Sequence, residues 1–461
     1  MIRAGLLDIA AALGLRIDAD DPHLAEVEIA GVSIDSRQLL PGNLFVAIAG
    51  ARVDGHDYLA AAQAAGASAA LVSRPVASDL PQLQVADTAA ALADIARRWR
   101  LCCPARVVGI TGSCGKTTVK HLTSQILTLA GPCHTSAGNL NNEIGLPLSV
   151  CALPDSARFA VFEMGAGKPD DIAVLANIAH PDVALVNNVA AAHLERLHSL
   201  DGVASTKGAL YSMLPDSGIA VINADDAYAD YFAGLCGHRT IYRFALDHPA
   251  DIQGQVLATS VERQRLAIRT PLGAFAVELP LPGRHNARNA LAACALALAA
   301  GAELADLAAG LATASTTPGR LQTLHLANGV TLIDDSYNAN PGSMQAAIDT
   351  LAQAPGQRWL VLGDMRELGA DSARLHHEVG AYARSRGIEQ LFAVGSESLH
   401  TCAGYGAGAE HFADQASLIA RLQTELTAEG TCLIKGSRGS AMDRVVRALG
   451  AIQDGGSDHV A

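Results

Sequence analysis

A chain of 461 residues has room for about three domains at the usual ~150 residues each. Its 33 basic and 46 acidic side chains leave a net charge of −13, and with only 4% aromatic residues it lacks both the basic surface and the stacking platforms of a nucleic-acid binder. Half the residues are apolar, which excludes whole-chain disorder, yet the longest apolar run, near Ala290–Ala302, is shorter than the ~20 residues that span a bilayer, so no membrane insertion is expected.

Near the N-terminus Asp8 interrupts what would be the apolar core of a signal peptide. The nine cysteines are scattered without a CxxC pair, which suits a reducing, cytoplasmic setting. Short strands at Gly31–Ile34, Leu44–Ile48 and Ala69–Val72, with helices near Tyr58–Ala65 and Ala89–Arg100, form a first unit, 1–103. Pro104 ends it, because the residue before a proline is biased away from helix. The second unit, 104–315, opens with a strand at Val107–Thr111, a glycine turn and a helix from about Thr117. Buried strands follow at Phe159–Phe162, Val183–Asn187 and Ile219–Asn223, then a long alanine helix at Ala287–Ala300. Linker chemistry at Ala314–Gly319 leads into the third unit, 316–461. There strand–helix units recur at Thr331–Asp334, Trp359–Gly363, Leu391–Val394 and Cys432–Ile434, so ligands are expected at the carboxyl ends of a doubly wound sheet. The tail Gly455–Ala461 reads as frayed. The fold class is α/β with three domains: a small α/β N-terminal domain, a central P-loop-type parallel sheet and a C-terminal Rossmann-like domain.

The most informative stretch is Val107–Thr118. A buried strand runs into Gly112-Ser113-Cys114-Gly115-Lys116-Thr117-Thr118, where backbone N–H groups and a helix N-terminus can cradle a polyphosphate. Lys116 would reach the β- and γ-phosphates and Thr117 would ligate Mg²⁺. Ile110 stands where the first glycine of GxxxxGK[ST] belongs, so the loop is a shortened one. An ordinary strand–helix turn would not require a lysine followed by two threonines. Glu163 ends an apolar strand, a position costly for a carboxylate unless it is paired or metal-bound. Beside Lys116 it would form a salt bridge; beside Thr117 it would be a second oxygen ligand. His193 follows another strand of the same sheet and is a candidate for the same site.

These segments resemble the Mur ligases, ATP-dependent amide-forming enzymes of peptidoglycan synthesis, over essentially the whole chain. Thr111–Thr118 looks like their phosphate loop, with Cys114 where asparagine is commoner. Leu281–Ala290 is similar to the segment whose asparagine, here Asn289, would contact adenine. Ile333–Pro341 resembles the segment that places an aspartate, here Asp335, on the ribose, and Arg320 joins the implied ATP contacts. The resemblance implies a UDP-sugar site at Ser33, Asp35, Ser36, Arg37 and His56, and further substrate contacts at Asn139, Asn142, Tyr337, Asn338, Asn340, Lys435 and Arg438. It implies catalysis by Lys116, Glu163, His193 and Lys207. Lys207 matches a lysine modified by CO₂ in the family, and once carboxylated it would join Thr117, Glu163 and His193 around two Mg²⁺ sites.

Within the family, Gly138–Pro147, Asn187–Glu195, Ser336–Pro341 and Gly363–Gly369 point to addition of D-alanyl-D-alanine to UDP-N-acetylmuramoyl-tripeptide through an acyl phosphate, by a monomeric enzyme. Folylpolyglutamate synthetase is disfavoured by the Asp35–Arg37 and Tyr337–Asn340 segments. The preceding ligase of the pathway is disfavoured by the lack of an Asp-Asn-Pro-Arg segment. A nucleotide-gated switch without ligase activity is the remaining alternative.

Overall fold

A computed structural model describes residues 1–16, 22–191, 193–426 and 429–450; the tail Gly455–Ala461 lies outside them. Three parallel or largely parallel sheets follow one another along the chain. The first has four parallel strands in the order Val32–Ser33, Leu44–Val46, Ala69–Val72 and Gln82–Gln84. A short antiparallel pair, Arg3–Gly5 with Glu28–Ala30, stands apart from it.

In the nine-stranded central sheet, Arg106–Thr111 lies between Val183–Val186 and Phe159–Glu163, parallel to both. The chain leaves Arg106–Thr111 at the point where strand order reverses, so its following loop opens into the crevice where such sheets bind ligands. All but the first residue of this strand are buried, as expected where helices cover both faces. The helix Arg284–Ala300 packs on the sheet with most of its residues buried, its many alanines allowing close approach. Beyond Thr240–Ala245 the sheet is extended by Ile252–Thr259 and then turns antiparallel through Gln264–Thr270 and Gly273–Leu279.

The third sheet runs Gln322–His325, Thr331–Asp335, Gly430–Lys435, Gln357–Gly363, Gln390–Val394 and Ala409–Phe412, parallel except for its first strand. Its register sets Asp335 directly opposite Lys435 at the carboxyl ends. None of the described helices is long and apolar enough to cross a membrane.

One apolar core runs through the first two units. Leu92, Ile95 and Ala96 of the helix Thr88–Cys102 pack in the same cluster as Leu146, Val150 and Leu175. Arg100 fastens the end of this helix: its buried guanidinium donates to the carbonyls of Ala179, His180 and Cys103 and to Asp182 at 2.9 Å. Cys103 is extended, as its position before Pro104 requires. The third unit has separate cores on the two faces of its sheet.

In that unit the helices Ser372–Ser385 and Ser398–Tyr405 touch backbone to backbone. A Cβ on Gly380 would stand 1.9 Å from the Thr401 carbonyl oxygen, and one on Gly404 would stand 2.0 Å from that of His377. Overpacking of this kind costs about 1–3 kcal/mol. Gly380→Ala is therefore expected to lower the chemical-denaturation midpoint of the C-terminal unit, and an unchanged midpoint would refute the close packing.

Candidate functional site

The phosphate loop is held from below by asparagines. Val186 pairs in register with Thr111, so the residues after both strands emerge side by side. Asn188 accepts the Cys114 N–H at 2.8 Å and donates to the Cys114 carbonyl at 3.1 Å, while Asn187 donates to the same carbonyl at 3.0 Å. Asn187 also donates to Asn289, and Asn289 to Asn286, both at 3.1 Å. Gly115 sits on this lattice with φ +78°, where a Cβ would be 2.5 Å from Asn289 Oδ1. The helix Lys116–Ala130 then presents its first turn, whose N–H groups have no intrahelical partner.

Lys116 curls back, Nζ donating to the Gly112 carbonyl at 2.8 Å. Burial lowers its pKa, with the charge of Glu163 opposing the shift. Glu163 is buried and fully engaged: Thr117 Oγ1 donates to Oε2 at 2.8 Å and Asn141 Nδ2 to Oε1 at 2.8 Å. Its ion pair is with Lys120, at 3.9 Å. Of the two arrangements anticipated for Glu163, the one beside Thr117 is found. Arg320 donates to Thr117 Oγ1 at 3.1 Å and stacks 4.2 Å above the Tyr337 ring, which Arg438 also approaches at 5.7 Å.

Lys116, Thr117, Glu163, Arg320, Tyr337 and Arg438 share one cavity of about 970 Å³ between the central and C-terminal units. Its walls include the whole stretch Ser113–Thr118, Glu163, His193, Asn139, Asn142, Asn289 and Arg320, together with Asp335, Tyr337, Asn338, Asn340, Lys435 and Arg438. Asp335 and Lys435 form a 2.6 Å ion pair, and Lys435 also donates to the Asn338 carbonyl. His193 Nδ1 bonds to Glu367 of the C-terminal unit, and both residues are in the left-handed region. Burial lowers the His193 pKa; Glu367 opposes this, and the charges of Lys116 and Lys207 add to it.

Several residues singled out in the sequence stand elsewhere or are already committed. Ser33, Asp35, Ser36, Arg37 and His56 do not line the cavity. Arg37 is exposed and paired with Asp35 at 2.7 Å, its hydrogen bonds holding that carboxyl down at about 2. His56 is 2% exposed, with Nδ1 on Asp54 at 2.6 Å and Nε2 accepting from the Ser73 N–H at 2.9 Å, so here it braces a turn. Asn340 caps the helix Pro341–Leu351, accepting from the Ser343 N–H at 2.9 Å, and its Nδ2 lies 3.1 Å from Cys114 Sγ. Asn142 likewise accepts the Gly145 N–H at 2.8 Å. Lys207 is 1% exposed and lies outside the cavity lining, and no hydrogen bond or ion pair reaches its ammonium among the described residues. Burial, with the neighbouring Lys116 charge adding to it, lowers its pKa to about 7. No group of three or more His, Cys, Asp or Glu side chains is arranged to hold a metal among the described residues.

Sequence reasoning overlooked the partners that shape the site: Lys120, Asn141, Asn188 and Glu367. The asparagine-rich turns were visible, but which asparagine meets which carboxylate depends on strand register.

Family models named Mur ligase family, catalytic domain, Mur ligase middle domain and Mur ligase, glutamate ligase domain match residues 28–100, 110–297 and 319–438. The chain belongs to the Mur ligase family. It is 46% identical over 433 residues to the UDP-N-acetylmuramoyl-tripeptide–D-alanyl-D-alanine ligase of Escherichia coli K12, covering 92% of this chain and 94% of that one. A crystal structure of MurF from Acinetobacter baumannii superposes with a TM-score of 0.90 at 31% identity, covering 98% and 99% of the two chains. MurF of Thermotoga maritima in complex with ADP gives 0.81 at 28% identity, covering 92% and 98%.

The cradle built on Gly115 is testable. An alanine there must hold the left-handed conformation, at about 1–2 kcal/mol, and displace Asn289. Gly115→Ala is expected to lower Tm by a few degrees and, in a crystal structure of the variant, to break the Asn187–Asn289 hydrogen bond; an unaltered Tm and an intact bond would show that the loop tolerates a Cβ.

Proposed function

We propose that this chain is an ATP-dependent ligase that joins D-alanyl-D-alanine to UDP-N-acetylmuramoyl-tripeptide. The observation that carries the reading is the meeting, in one cavity, of a phosphate loop, a buried carboxylate and a cation-rich wall from a second unit. The 46% identical ligase supports the choice of substrates. A carboxylate and an amine do not condense unaided in water. A substrate carboxylate oxygen attacks the γ-phosphorus, the bond to the β–γ bridging oxygen breaks, and ADP leaves. The amine nitrogen then attacks the acyl carbon, gives up a proton, and expels inorganic phosphate as the C–O bond breaks. Such phosphoryl transfer depends on positioning and charge neutralisation more than on covalent catalysis by protein groups.

In this reading Lys116, released from the Gly112 carbonyl, meets the β- and γ-phosphates, and the first-turn N–H groups of its helix hold phosphate oxygens. Asn289 faces the base, Asp335 the ribose, and Arg320 the phosphates. Thr117 and Glu163 suit Mg²⁺, because hard oxygen donors already lie in contact at the loop. When bound there, Mg²⁺ would neutralise phosphate charge; His193 stands on the same wall as a further candidate ligand. Tyr337, Asn338 and Arg438 are assigned to the incoming dipeptide, whose carboxylate a guanidinium can pair. The exposed Asp35–Arg37 pair is assigned to the UDP end of the substrate. The three domains are divided at 103/104 and 315/316, a reading supported by the extended Cys103–Pro104 junction and the Ala314–Gly319 segment. Nucleotide substrates and free cysteines support a cytoplasmic setting.

Lys207 is assigned as a carbamate. Its amine adds to CO₂ only when neutral, and a pKa of about 7 makes that form abundant at neutral pH. Once anionic, it would be able to face Mg²⁺.

Mass spectrometry of a mixture of ATP, UDP-tripeptide and D-alanyl-D-alanine should show the UDP-pentapeptide. Lys116→Ala should abolish it, at least a thousandfold down, with an unchanged melting curve. A wild-type protein that hydrolyses ATP without making the product would favour the switch reading. Lys207→Ala should lose activity that short carboxylic acids partly restore, and the ¹³C carbamate signal seen with labelled bicarbonate should vanish. Full activity after CO₂ stripping would refute the modification.

A further inference from the structure

The helix that begins at the phosphate loop carries a second lysine one turn on. Lys116 and Lys120 are four residues apart and lie on one helix face, with long side chains leaning toward the N-terminus. Lys116 lines the cavity, whereas Lys120 is 6% exposed beneath it. The Lys120 ammonium donates to the Ser136 and Gly138 carbonyls, each at 3.0 Å, and lies 3.9 Å from Glu163 Oε2.

Those two carbonyls belong to the segment between the strand Cys133–Thr135 and the helix Gly145–Cys151, which sends Asn139, Asn141 and Asn142 to the cavity wall. The segment reaches Glu163 twice more. Asn141 Nδ2 donates to Oε1 at 2.8 Å, and Ser136 Oγ accepts the Glu163 N–H at 3.3 Å. A buried ammonium needs several acceptors to offset its lost hydration, and here two are backbone carbonyls of one loop while the third is the carboxylate beside the phosphate loop. No other lysine is bonded in this way to the asparagine segment among the described residues.

We propose that Lys120 is a positioning residue that fixes the 136–142 segment against Glu163, so that Asn139 on the cavity wall, which the proposed ligase reading takes as a contact to the UDP-linked substrate, keeps one spacing from the carboxylate beside the phosphate loop. This rests on the ligase reading above. The phosphate loop itself hangs on Asn187 and Asn188, so nucleotide binding does not need Lys120. Removing the ammonium orphans two carbonyls of the segment and leaves Glu163 without its ion-pair partner, so the segment is held only by its remaining bonds through Asn141 and Ser136.

The test is calorimetry of UDP-N-acetylmuramoyl-tripeptide and, separately, of ADP, together with amide hydrogen exchange over 136–142. In Lys120→Met the UDP substrate should bind at least tenfold more weakly, ADP within threefold of wild type, and exchange at 138–141 should rise at least tenfold. Lys120→Gln keeps an N–H donor without the charge, and should weaken the UDP substrate at least fivefold. A folded variant with wild-type substrate affinity and loop exchange overturns the proposal, as does parallel loss of ADP and substrate affinity. Unfolding of both variants makes Lys120 a core residue first and overturns it too. Failure of the wild-type protein to bind the UDP substrate would instead overturn the ligase reading itself.

Discussion

A carboxylate at the carboxyl end of a buried strand must be compensated on every side, and most of the site follows from how Glu163 meets that demand. Thr117 comes from the phosphate-loop helix, Asn141 from the segment before the next helix, and Lys120 from beneath. Two stretches of chain, the phosphate-loop helix with Thr117 and Lys120 and the segment with Asn141, converge on Glu163 because its side chain cannot be buried without them. The cost of burial is offset by hydrogen bonds that also bring the phosphate loop and the asparagine segment to a common point. Removing water from such a carboxylate strengthens its attraction for any cation that replaces one of these partners.

Much of this frame was legible in the sequence, and the unread parts share a physical cause. The strand–turn–helix at Arg106–Ala130 announced itself through an unbroken apolar run followed by Gly-Lys-Thr-Thr, because parallel strands are buried on both faces. The antiparallel extension did not. Gln264–Thr270 alternates buried Leu266 and Ile268 with exposed Arg265 and Arg269, a two-residue period that a search for continuous apolar runs passes over. Glu163 was suspicious by its position alone, whereas Lys120 looked like any helix lysine until the fold put two carbonyls above it. His56 and Asn340 have structural roles that residue type did not announce. Residue type and family likeness suggested ligand contacts, but a ring with both nitrogens committed and a helix cap have local work of their own.

The contacts across the cavity differ in kind from those behind it. The C-terminal unit touches the central one near the phosphate loop through Cys114–Asn340, Thr117–Arg320 and His193–Glu367, all polar groups that line the cavity. Polar contacts of this kind exchange readily for water or for ligand atoms. A ligand entering the cavity therefore competes for the polar groups that join the two units there, whereas Val261 of the central unit packs against the C-terminal core.

The junction on the other side has the opposite character, and it bears on how this protein can be re-engineered. Leu92 and Ile95 share a core with Leu146 and Leu175, and Arg100 is bonded into the central sheet through Asp182, which also accepts the Val107 N–H at 2.8 Å. A graft of a foreign first unit would have to match that core side chain by side chain, since interiors of this density tolerate little change in shape. The C-terminal unit meets its neighbour at the cavity through a handful of exchangeable hydrogen bonds. Chimaeras between family members should thus be cut in the Ala314–Gly319 segment, with the first 313 residues inherited as a block.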